Sequence, residues 1–473
     1  MAELVPLFVD LDGTLLRSDL LYESIVRLIR QAPGQLLRTP WWLLCGKARL
    51  KHELAQRVRL DATTLPYNDA MCAYLVRQRE QGRPLVLATG SNQRQAEAVA
   101  RHLGLFSAVL ASNADDNLTG SRKLQAIQQH NGGAFAYAGN ARDDVPIWHH
   151  AERAVAVGAP EHIVQDLRQR GRLELAISVP RDRFALLRAL RPHQWLKNLL
   201  VFLPALAVAD TLNLARFWAC CGAFVAFCLC ASAIYLVNDL SDLEADRAHP
   251  RKRFRPFANG AASIAHGLIA VPVLLVVAFA IATAVSPTVV GVLGGYLLLT
   301  TAYTFVLKAY AILDVLSLAA LYALRVLAGA AAIAVAPSFW MLAFSVFIFF
   351  SLALAKRAAE LYTARTLDLP KARGRGYRVD DDGAVQMMGI AAGYLAVGVM
   401  ALYLNSPEVA QRYHHPQWLW GLCPMLLLWV SRIWLKAVRG ELVDDPLVFA
   451  LSDLQSRMVV IAATLLIVSA MLL

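Results

Sequence analysis

From about residue 195 onward, the sequence is a succession of apolar runs, each long enough to cross a lipid bilayer. A hydrocarbon layer holds no water for backbone N–H and C=O groups, so such runs fold as helices that satisfy their own hydrogen bonds. The pattern predicts an all-α bundle of about nine transmembrane helices. They cover roughly residues 196–210, 216–237, 266–286, 288–306, 311–334, 338–355, 385–405, 417–435 and 456–473.

The part before these runs has an ordinary mixed and charged composition, which predicts a separate water-exposed domain. We place this domain at residues 1–178, an interfacial linker helix at 179–195 and a membrane domain at 196–473. Residues 1–14 lack the basic start and apolar core of a secretory signal. We therefore expect the N-terminal domain to lie in the cytosol.

Positive charge is concentrated in alternate loops between the predicted spans, as expected for a multi-pass protein of the inner membrane with those loops on the cytosolic side. This asymmetry accounts for most of the net charge of +11 without a nucleic-acid partner. Phosphate-rich substrates and anionic membrane lipids are the expected partners, and a homo-oligomer is an open alternative. The seven cysteines show no metal-ligand spacing and are interpreted as packing residues.

An acidic face and a basic run lie side by side after the second predicted span. At about 100° per residue, a helix places four side chains on one face: Asn238, Asp239, Asp242 and Asp246. Clustered carboxylates repel one another unless a cation lies among them, and their oxygens suit Mg²⁺. The basic run that follows comprises Arg251, Lys252, Arg253 and Arg255. We predict that the acidic face binds Mg²⁺ and a diphosphate; a solvated loop would explain the arginines but not the one-sided acids.

Further charged residues recur at the cytosolic ends of later spans. Asp314 and Arg325 lie about three helical turns apart on one face, and we expect both to face the bundle interior. A functional pair and a purely structural ion pair are both open interpretations. The other members of this set are Lys308, Lys356 and Arg357. Lys356 and Arg357 either bind a substrate phosphate or extend to lipid headgroups.

The pattern Asn238-Asp239-x-x-Asp242-x-x-x-Asp246, the number of spans and the second polar set resemble the UbiA superfamily of intramembrane prenyltransferases. Residues 249–256, together with the second polar set, look most like its decaprenyl-phosphate phosphoribosyltransferase branch over residues 190–473. By that resemblance, the chain transfers 5-phosphoribose from phosphoribosyl diphosphate to a polyprenyl phosphate, for cell-envelope glycans. The segment 314–318 holds one acid where ordinary prenyltransferases carry two, which argues against a second metal cluster.

The charges of the two donors distinguish the branches. Phosphoribosyl diphosphate is anionic at both ends, whereas a prenyl diphosphate has one anionic head. The basic run exceeds what one metal-bound diphosphate needs, so we expect part of it, with Lys308, to hold the 5-phosphate. Lys356 and Arg357 would steer the acceptor phosphate. The alternative is a prenyltransferase that moves a prenyl group from prenyl diphosphate to an aromatic or other small acceptor, and a third interpretation is a non-catalytic or transport role.

Three strand-like runs of the N-terminal domain each end in a polar turn: residues 7–14 (LFVDLDGT), 85–91 (LVLATGS) and 135–144 (FAYAGNARDD). Ligands bind at the carboxyl ends of strands in open α/β sheets. With Lys123 between the last two runs, they resemble the haloacid dehalogenase (HAD) superfamily over residues 5–160. That resemblance implies a Rossmann-like α/β core, with residues 17–80 forming a small helical cap.

The same resemblance implies roles for individual residues. Asp10 would be the nucleophile and Asp12 the acid/base, both near Mg²⁺. Thr89 and Lys123 would hold phosphate oxygens. Asp144 would bind Mg²⁺, together with Asn140, which stands where family members usually have an acid. A non-catalytic or weakly active domain is the alternative; otherwise the phosphatase would remove the 5-phosphate from the lipid-linked product.

Overall fold

The computed structural model describes residues 5–179, 182–206, 213–368, 375–442, 449 and 453–472. The chain divides into two compact units. The first unit comprises Met1–Leu190 and Tyr235–Val271, and the second comprises Arg191–Ile234 and Pro272–Leu473. The acidic face and the basic run therefore belong to the same unit as the N-terminal domain.

The described part of the first unit contains a six-stranded parallel sheet in the order β3-β2-β1-β4-β5-β6. The strands are β1 (Leu7–Val9), β2 (Leu85–Asn92), β3 (Ala108–Ser112), β4 (Ala136–Gly139), β5 (Arg153–Val157) and β6 (Leu173–Ile177). In the central strand β1, Leu7 and Val9 enter one hydrophobic core and Phe8 enters the other. A parallel sheet buried on both faces confirms the predicted Rossmann-like α/β fold.

Helices connect these strands and form the cap. They are α1 (Leu20–Gln31), α2 (Thr39–Leu44), α3 (Lys47–Arg57), α4 (Asp69–Glu80), α5 (Gln93–Leu103), α6 (Ser121–Asn131), α7 (Val145–Trp148) and α8 (Glu161–Gln169). Asp19 caps α1 because its carboxylate accepts a hydrogen bond from the backbone N–H of Leu21. Helices α1 to α3 share a core of their own around Trp42 and Leu54, which confirms a helical cap. Helix α4 instead packs Met71 on the sheet, so the cap is smaller than residues 17–80.

The described part of the remaining chain is helical, as predicted. Its helices are α9 (Ala185–Ala189), α10 (Leu203–Leu206), α11 (Leu214–Ser241), α12 (Leu243–Arg247), α13 (Ile264–Val285), α14 (Pro287–Phe305), α15 (Leu313–Ala332), α16 (Phe339–Thr366), α17 (Asp382–Leu404), α18 (Pro407–Arg412), α19 (Leu422–Val438) and α20 (Leu454–Leu472). Among the described residues, seven helical segments are long and apolar enough to cross a membrane. They contain α11, α13, α14, α15, α16, α17 and α19.

The predicted number of about nine spans is not confirmed. The first predicted span, 196–210, holds part of the 3₁₀ helix Pro192–Phe202 and then α10, while its residues 207–210 lie outside the described residues. The last one corresponds to α20, whose apolar stretch Leu454–Ala470 is shorter than any of the seven segments. The expected linker helix at 179–195 is interrupted, because Arg191 has a φ of 54° before Pro192.

Small residues let segments of the second unit approach each other closely. Gly329 of α15 lies against the backbone carbonyl of Val201, so a Cβ at this position would overlap that oxygen. Gly389 of α17 likewise lies against the ring of Trp434 in α19. Such contacts are typical of membrane helices, whose association depends on close packing rather than on the hydrophobic effect.

We expect Gly329→Ala to destabilise the full-length protein by about 2 kcal/mol, because the added methyl group overlaps the Val201 carbonyl. Gly294→Ala is the matched control, since a Cβ at this α14 position meets no heavy atom of the described residues within 4 Å. Thermal unfolding in detergent measures both variants. Equal unfolding temperatures for the two would contradict this close contact.

Candidate functional site

The first polar site lies where three neighbouring strands of the sheet end. Asp10 directly follows β1, Asn140 directly follows β4, and Thr89 lies in β2. Both β2 and β4 pair with β1 in parallel, so the three residues meet at one edge of the sheet. The strand order changes direction between β1 and β4, which is where open α/β sheets bind their ligands.

A buried lysine connects the carboxylates of this site. The Lys123 ammonium lies 2.7 Å from Asp10 Oδ1 and 3.6 Å from Asp144 Oδ1. It also donates to the hydroxyl of Tyr137, which in turn donates to Asp144 Oδ1 at 2.7 Å. The structure thus brings together Asp10, Lys123 and Asp144, as the sequence predicted. Tyr137 was not predicted, although its position in the strand of the third motif offered a signal.

Burial shifts the pKa values of the charged side chains in this site. Loss of water raises the pKa of Asp10 to about 7, although the neighbouring Lys123 ammonium opposes that shift. Burial also raises the pKa of Asp12 to about 6, with the charge of Asp19 adding to it. For Lys123, burial disfavours the charged form, but the Asp10 and Asp144 carboxylates outweigh it and raise the pKa of this lysine. The site therefore favours added positive charge.

The cap and β2 hold Asp12 in place. Its Oδ1 accepts a hydrogen bond from the backbone N–H of Leu20 at the start of α1, and its Oδ2 accepts from the Ser91 hydroxyl at 2.5 Å. Thr89 is buried, and its hydroxyl oxygen accepts from the backbone N–H of Ser91. From cap helix α3, the Lys51 ammonium reaches the carbonyl of Gly90 at 2.5 Å. Sequence reasoning missed Ser91 and Lys51; Ser91 ended a predicted motif, but a cap residue gave no local signal.

The oxygen-rich ligand set of this site fits Mg²⁺, which prefers carboxylate and amide oxygens. Asp144 Oδ2 accepts hydrogen bonds from the backbone N–H groups of Asn140 and Ala141, which orients the carboxylate. Gly13 has a φ of 76° and lies directly against the Asn140 side chain, so this amide lies beside the turn that follows Asp12. Within the described residues, no group of three or more His, Cys, Asp or Glu side chains is arranged to hold a metal ion, and Asn140 supplies an amide here instead of an acid.

The acidic face of the later segment is not one continuous helix, contrary to our prediction. Helix α11 ends at Ser241, Asp242 has a φ of −102° and a ψ of 13°, and α12 begins at Leu243. Helical hydrogen bonds nevertheless continue from Asp242 N–H to the Asn238 carbonyl and from Asp246 N–H to the Asp242 carbonyl. The face therefore survives the interruption.

Two of the acids on this face share one cation. Arg255 Nη1 lies 3.1 Å from Asp239 Oδ1 and 2.6 Å from Asp246 Oδ2, and both aspartates are buried. Asp242 is half-buried, and the buried Asn238 Oδ1 has no hydrogen-bond partner among the described residues. The common arginine places Asp239 and Asp246 on the same side, as the helical spacing predicted.

The basic run divides into two kinds of residue. Arg255 was predicted to bind phosphate, but here it contacts the two acids, because buried carboxylates draw the nearest guanidinium. Arg251, Lys252 and Arg253 are exposed. The His249 ring nitrogen Nδ1 accepts from the backbone N–H groups of Arg251 and Lys252, which folds the run into a tight turn.

The second unit contains its own buried charge cluster. Asp314 lies in the first turn of α15 and is fully buried; its carboxylate pairs with Arg357 Nε at 2.9 Å and accepts from the Tyr377 hydroxyl at 3.0 Å. Arg375 lies 3.6 Å from the same carboxylate, and Arg357 also pairs with Glu360. Arg357 is buried, so the alternative in which it extends to lipid headgroups is wrong. Arg375 and Tyr377 were missed because they come from a distant loop.

The other predicted residues of this unit lie elsewhere. Arg325 is buried as expected, but its guanidinium donates to Asn198 Oδ1 at 2.7 Å and to the Tyr296 hydroxyl at 3.0 Å, while Asp314 pairs with Arg357. Arg325 and Asp314 face the interior of the unit without forming the pair considered from their spacing. Lys308, in a 3₁₀ turn after α14, and Lys356 of α16 are both half-buried.

Comparison with known proteins finds a matching family for each half of the chain. Residues 198–439 match the UbiA prenyltransferase family, and residues 7–149 match the haloacid dehalogenase-like hydrolases. Protein y4nM of Sinorhizobium fredii is 40% identical over 456 residues, which cover 95% of this chain and 88% of that protein. The decaprenyl-phosphate phosphoribosyltransferase of Mycolicibacterium smegmatis is 38% identical over 185 residues, or 38% of this chain and 58% of that protein.

Among solved structures, a UbiA homolog from Archaeoglobus fulgidus bound to GPP and Mg²⁺ is 15% identical, with a TM-score of 0.46. The alignment covers 60% of this chain and 99% of that one. Both matched families are generally Mg²⁺-dependent.

We expect Asn140→Asp to raise the Mg²⁺ affinity of the N-terminal domain on the order of tenfold, because a carboxylate replaces an amide of the same shape beside Asp144. The measurement is the rise in unfolding temperature of the full-length protein as Mg²⁺ is added. Asn131→Asp at the end of α6 adds the same charge elsewhere and serves as the control. An identical Mg²⁺ response in the two variants would place Asn140 outside the metal site.

Proposed function

Because the chain belongs to the UbiA prenyltransferase family and carries a haloacid dehalogenase-like hydrolase domain, we propose that it is a bifunctional membrane enzyme. Its transferase part moves 5-phosphoribose from phosphoribosyl diphosphate to a polyprenyl phosphate. Its phosphatase-like domain then removes the 5-phosphate from the lipid-linked product. The apolar helices and the family make the chain an integral membrane protein. We place it in the inner membrane, with the N-terminal domain in the cytosol.

The observation that carries the transferase proposal is the contact between the acidic face and the basic run. Asp239 and Asp246 approach the same Arg255 side chain, although 16 and 9 residues, respectively, separate them from it. Donor recognition needs ligands for a metal-bound diphosphate and cations for a second phosphate, and this segment holds both kinds of group. Three more cations of the run, Arg251, Lys252 and Arg253, are exposed beside it.

The acidic face fits Mg²⁺ by its chemistry. Asp239, Asp246, Asp242 and the unsatisfied carbonyl oxygen of Asn238 are all hard oxygen ligands. When bound there, Mg²⁺ would neutralise the diphosphate and make it a better leaving group. Asn238 would orient the ligand set through an oxygen that is otherwise buried without a partner among the described residues.

The remaining residues would bind and orient the two phosphate-bearing substrates. We assign the exposed cations Arg251, Lys252 and Arg253 to the 5-phosphate, with geometry set by the turn at His249. Lys308 stays a candidate for the same role. For the acceptor phosphate we favour Lys356 over Arg357, because Arg357 is already held by Asp314 and Glu360. The acceptor oxygen is anionic and needs no strong protein base.

In the phosphatase-like domain, Asp10 would attack phosphorus and Asp12 would protonate the leaving oxygen, then take a proton from the incoming water. Lys123, which bonds Asp10 and lies near Asp144, would stabilise the negative charge of the transferring phosphoryl group. Ser91 and Leu20 N–H hold the Asp12 carboxyl, and Lys51 of the cap would contact the rest of the substrate.

A second candidate function is transfer of a prenyl group from a prenyl diphosphate to a small acceptor. The family match over residues 198–439 favours it. The 38% identity to a phosphoribosyltransferase and the cationic excess beside the acids favour phosphoribosyl transfer. Offering the purified protein both donors in one assay separates these functions by the mass of the lipid product.

Asp246→Asn should lower transfer from phosphoribosyl diphosphate at least about 100-fold, because it removes a charged Mg²⁺ ligand from the acidic face. Asp380→Asn is the control, since it neutralises an exposed carboxylate in the second unit. Transfer is followed with labelled donor and polyprenyl phosphate, and elution volume in detergent reports folding. Wild-type turnover by a folded Asp246→Asn protein would refute the donor site.

Asp10→Asn should leave transfer intact and make the phosphorylated lipid accumulate, because the nucleophile of the phosphatase-like domain is lost. Mass analysis of the lipid products over time measures the accumulation of the phosphorylated lipid. If the wild-type protein and the Asp10→Asn variant give the same products, the two reactions are not consecutive.

A further inference from the structure

The cap helix α1 is bonded to the short helix α12 that carries Asp246. Glu23 accepts two hydrogen bonds from Arg247, at 2.6 Å from Nη2 and 3.2 Å from Nη1. One turn further along α1, Arg27 pairs with Glu244. On each helix the acid precedes the base, and each acid pairs with the base of the other helix, which fixes the register of the contact. All four residues belong to the first unit.

Burial separates this contact from an ordinary surface ion pair. The Arg247 and Glu23 side chains are 8% and 5% exposed. In the surface pair, by contrast, the Arg170 and Asp166 side chains are 49% and 41% exposed. Exposed pairs contribute little to stability, while removal of one partner of a buried pair leaves an uncompensated charge. The Glu23 pair therefore constrains the structure far more than the Asp166 pair.

Arg247 also holds the segment that leads back from the basic run. Its Nε donates to the carbonyl of Ala258 at 3.0 Å, while its other nitrogens bond Glu23. Arg255, three residues before Ala258, is the arginine that bridges Asp239 and Asp246. One buried guanidinium thus connects α1, α12 and the end of the basic run.

A second contact supports the same arrangement. Gly260 has a φ of 74°, and a Cβ there would lie 2.6 Å from Arg17 Cβ and 3.1 Å from the Arg17 carbonyl. Only a residue without a side chain allows this approach. Arg17 follows the first motif of the phosphatase-like domain, so the end of the basic segment packs against that motif.

The other end of α1 belongs to the phosphatase-like site. The Leu20 N–H in the first turn donates to Asp12 Oδ1, and Glu23 follows within one turn. A rotation of α1 that displaced Glu23 would also change the donor that holds Asp12. Helix α1 is therefore bonded to Asp12 at its start and, through Glu23 and Arg27, to the helix α12 that carries Asp246.

We propose that Glu23 and Arg247 are positioning residues that make the phosphatase-like domain a structural part of the donor site of the transferase. Through this pair, α1 sets the orientation of α12 and of the segment carrying Arg255, and thereby the distance between Asp239 and Asp246. The attachment is independent of which diphosphate donor the transferase uses. It explains why the acidic segment belongs to the N-terminal unit.

The test compares Glu23→Gln with Asp166→Asn in the full-length protein in detergent. Both substitutions neutralise an acid that pairs with an arginine, but Asp166 lies on α8 and pairs with Arg170. Hydrogen exchange is measured over residues 238–262. We expect Glu23→Gln to speed exchange there on the order of tenfold, with no change in Asp166→Asn. If Glu23→Gln does not fold, Glu23→Asp replaces it. We then expect exchange over residues 238–262 to be faster in Glu23→Asp than in Asp166→Asn.

Activity gives a second readout. Glu23→Arg and Arg247→Glu should each raise the Mg²⁺ concentration for half-maximal transfer, and the double variant should recover part of the loss because the pair is restored in reverse. Unchanged exchange over residues 238–262 in Glu23→Gln, or in Glu23→Asp if that variant replaces it, would overturn the proposal. If the wild-type protein transferred no phosphoribose, the proposed function would fail, while the exchange result would still decide the role of this pair.

Discussion

Carboxylates that are buried away from water need a cation at bonding distance, and this requirement organises four of the polar clusters of this chain. The pairs are Asp10 with Lys123, Asp239 and Asp246 with Arg255, Glu23 with Arg247, and Asp314 with Arg357. In each case the cation comes from a different element than the acid. Folding must therefore bring these elements together before the charges are tolerated, and the same charges then hold the elements in one arrangement.

The phosphatase-like site and the acidic face use this principle in related ways. Each gathers carboxylates around a single buried or half-buried base and adds an amide, Asn140 in one site and Asn238 in the other. Both sets consist of hard oxygen ligands, the kind that suits a divalent cation such as Mg²⁺. Helix α1 contributes to the surroundings of both clusters, through the Leu20 N–H at Asp12 and through the Glu23 pair with Arg247.

The sequence pattern was sufficient to predict where site residues lie when those residues are close together in the sequence. Asp10 and Asp12 are two residues apart at the end of a short apolar strand, and Asp239 and Asp246 are two helical turns apart, so their placement followed from period and spacing. Pattern failed where the partner comes from a distant element. Arg325 and Asp314 share a helix face, yet Asp314 pairs with Arg357 because α16 brings a guanidinium closer than the same helix can. The interruption at Asp242 did not separate the acids, because helical hydrogen bonds continue across it.

Apolar length and strand motifs can be read from short stretches of sequence, so they were enough to predict an α/β domain followed by membrane helices. The chemical character of both sites could also be predicted, because it depends on which side chains are present. The tertiary structure alone decided which base neutralises which acid, the places of Tyr137, Ser91 and Lys51, and the attachment of α1 to α12. Those choices depend on distances between elements far apart in the chain, and Coulomb energy in a low-dielectric interior changes steeply with distance.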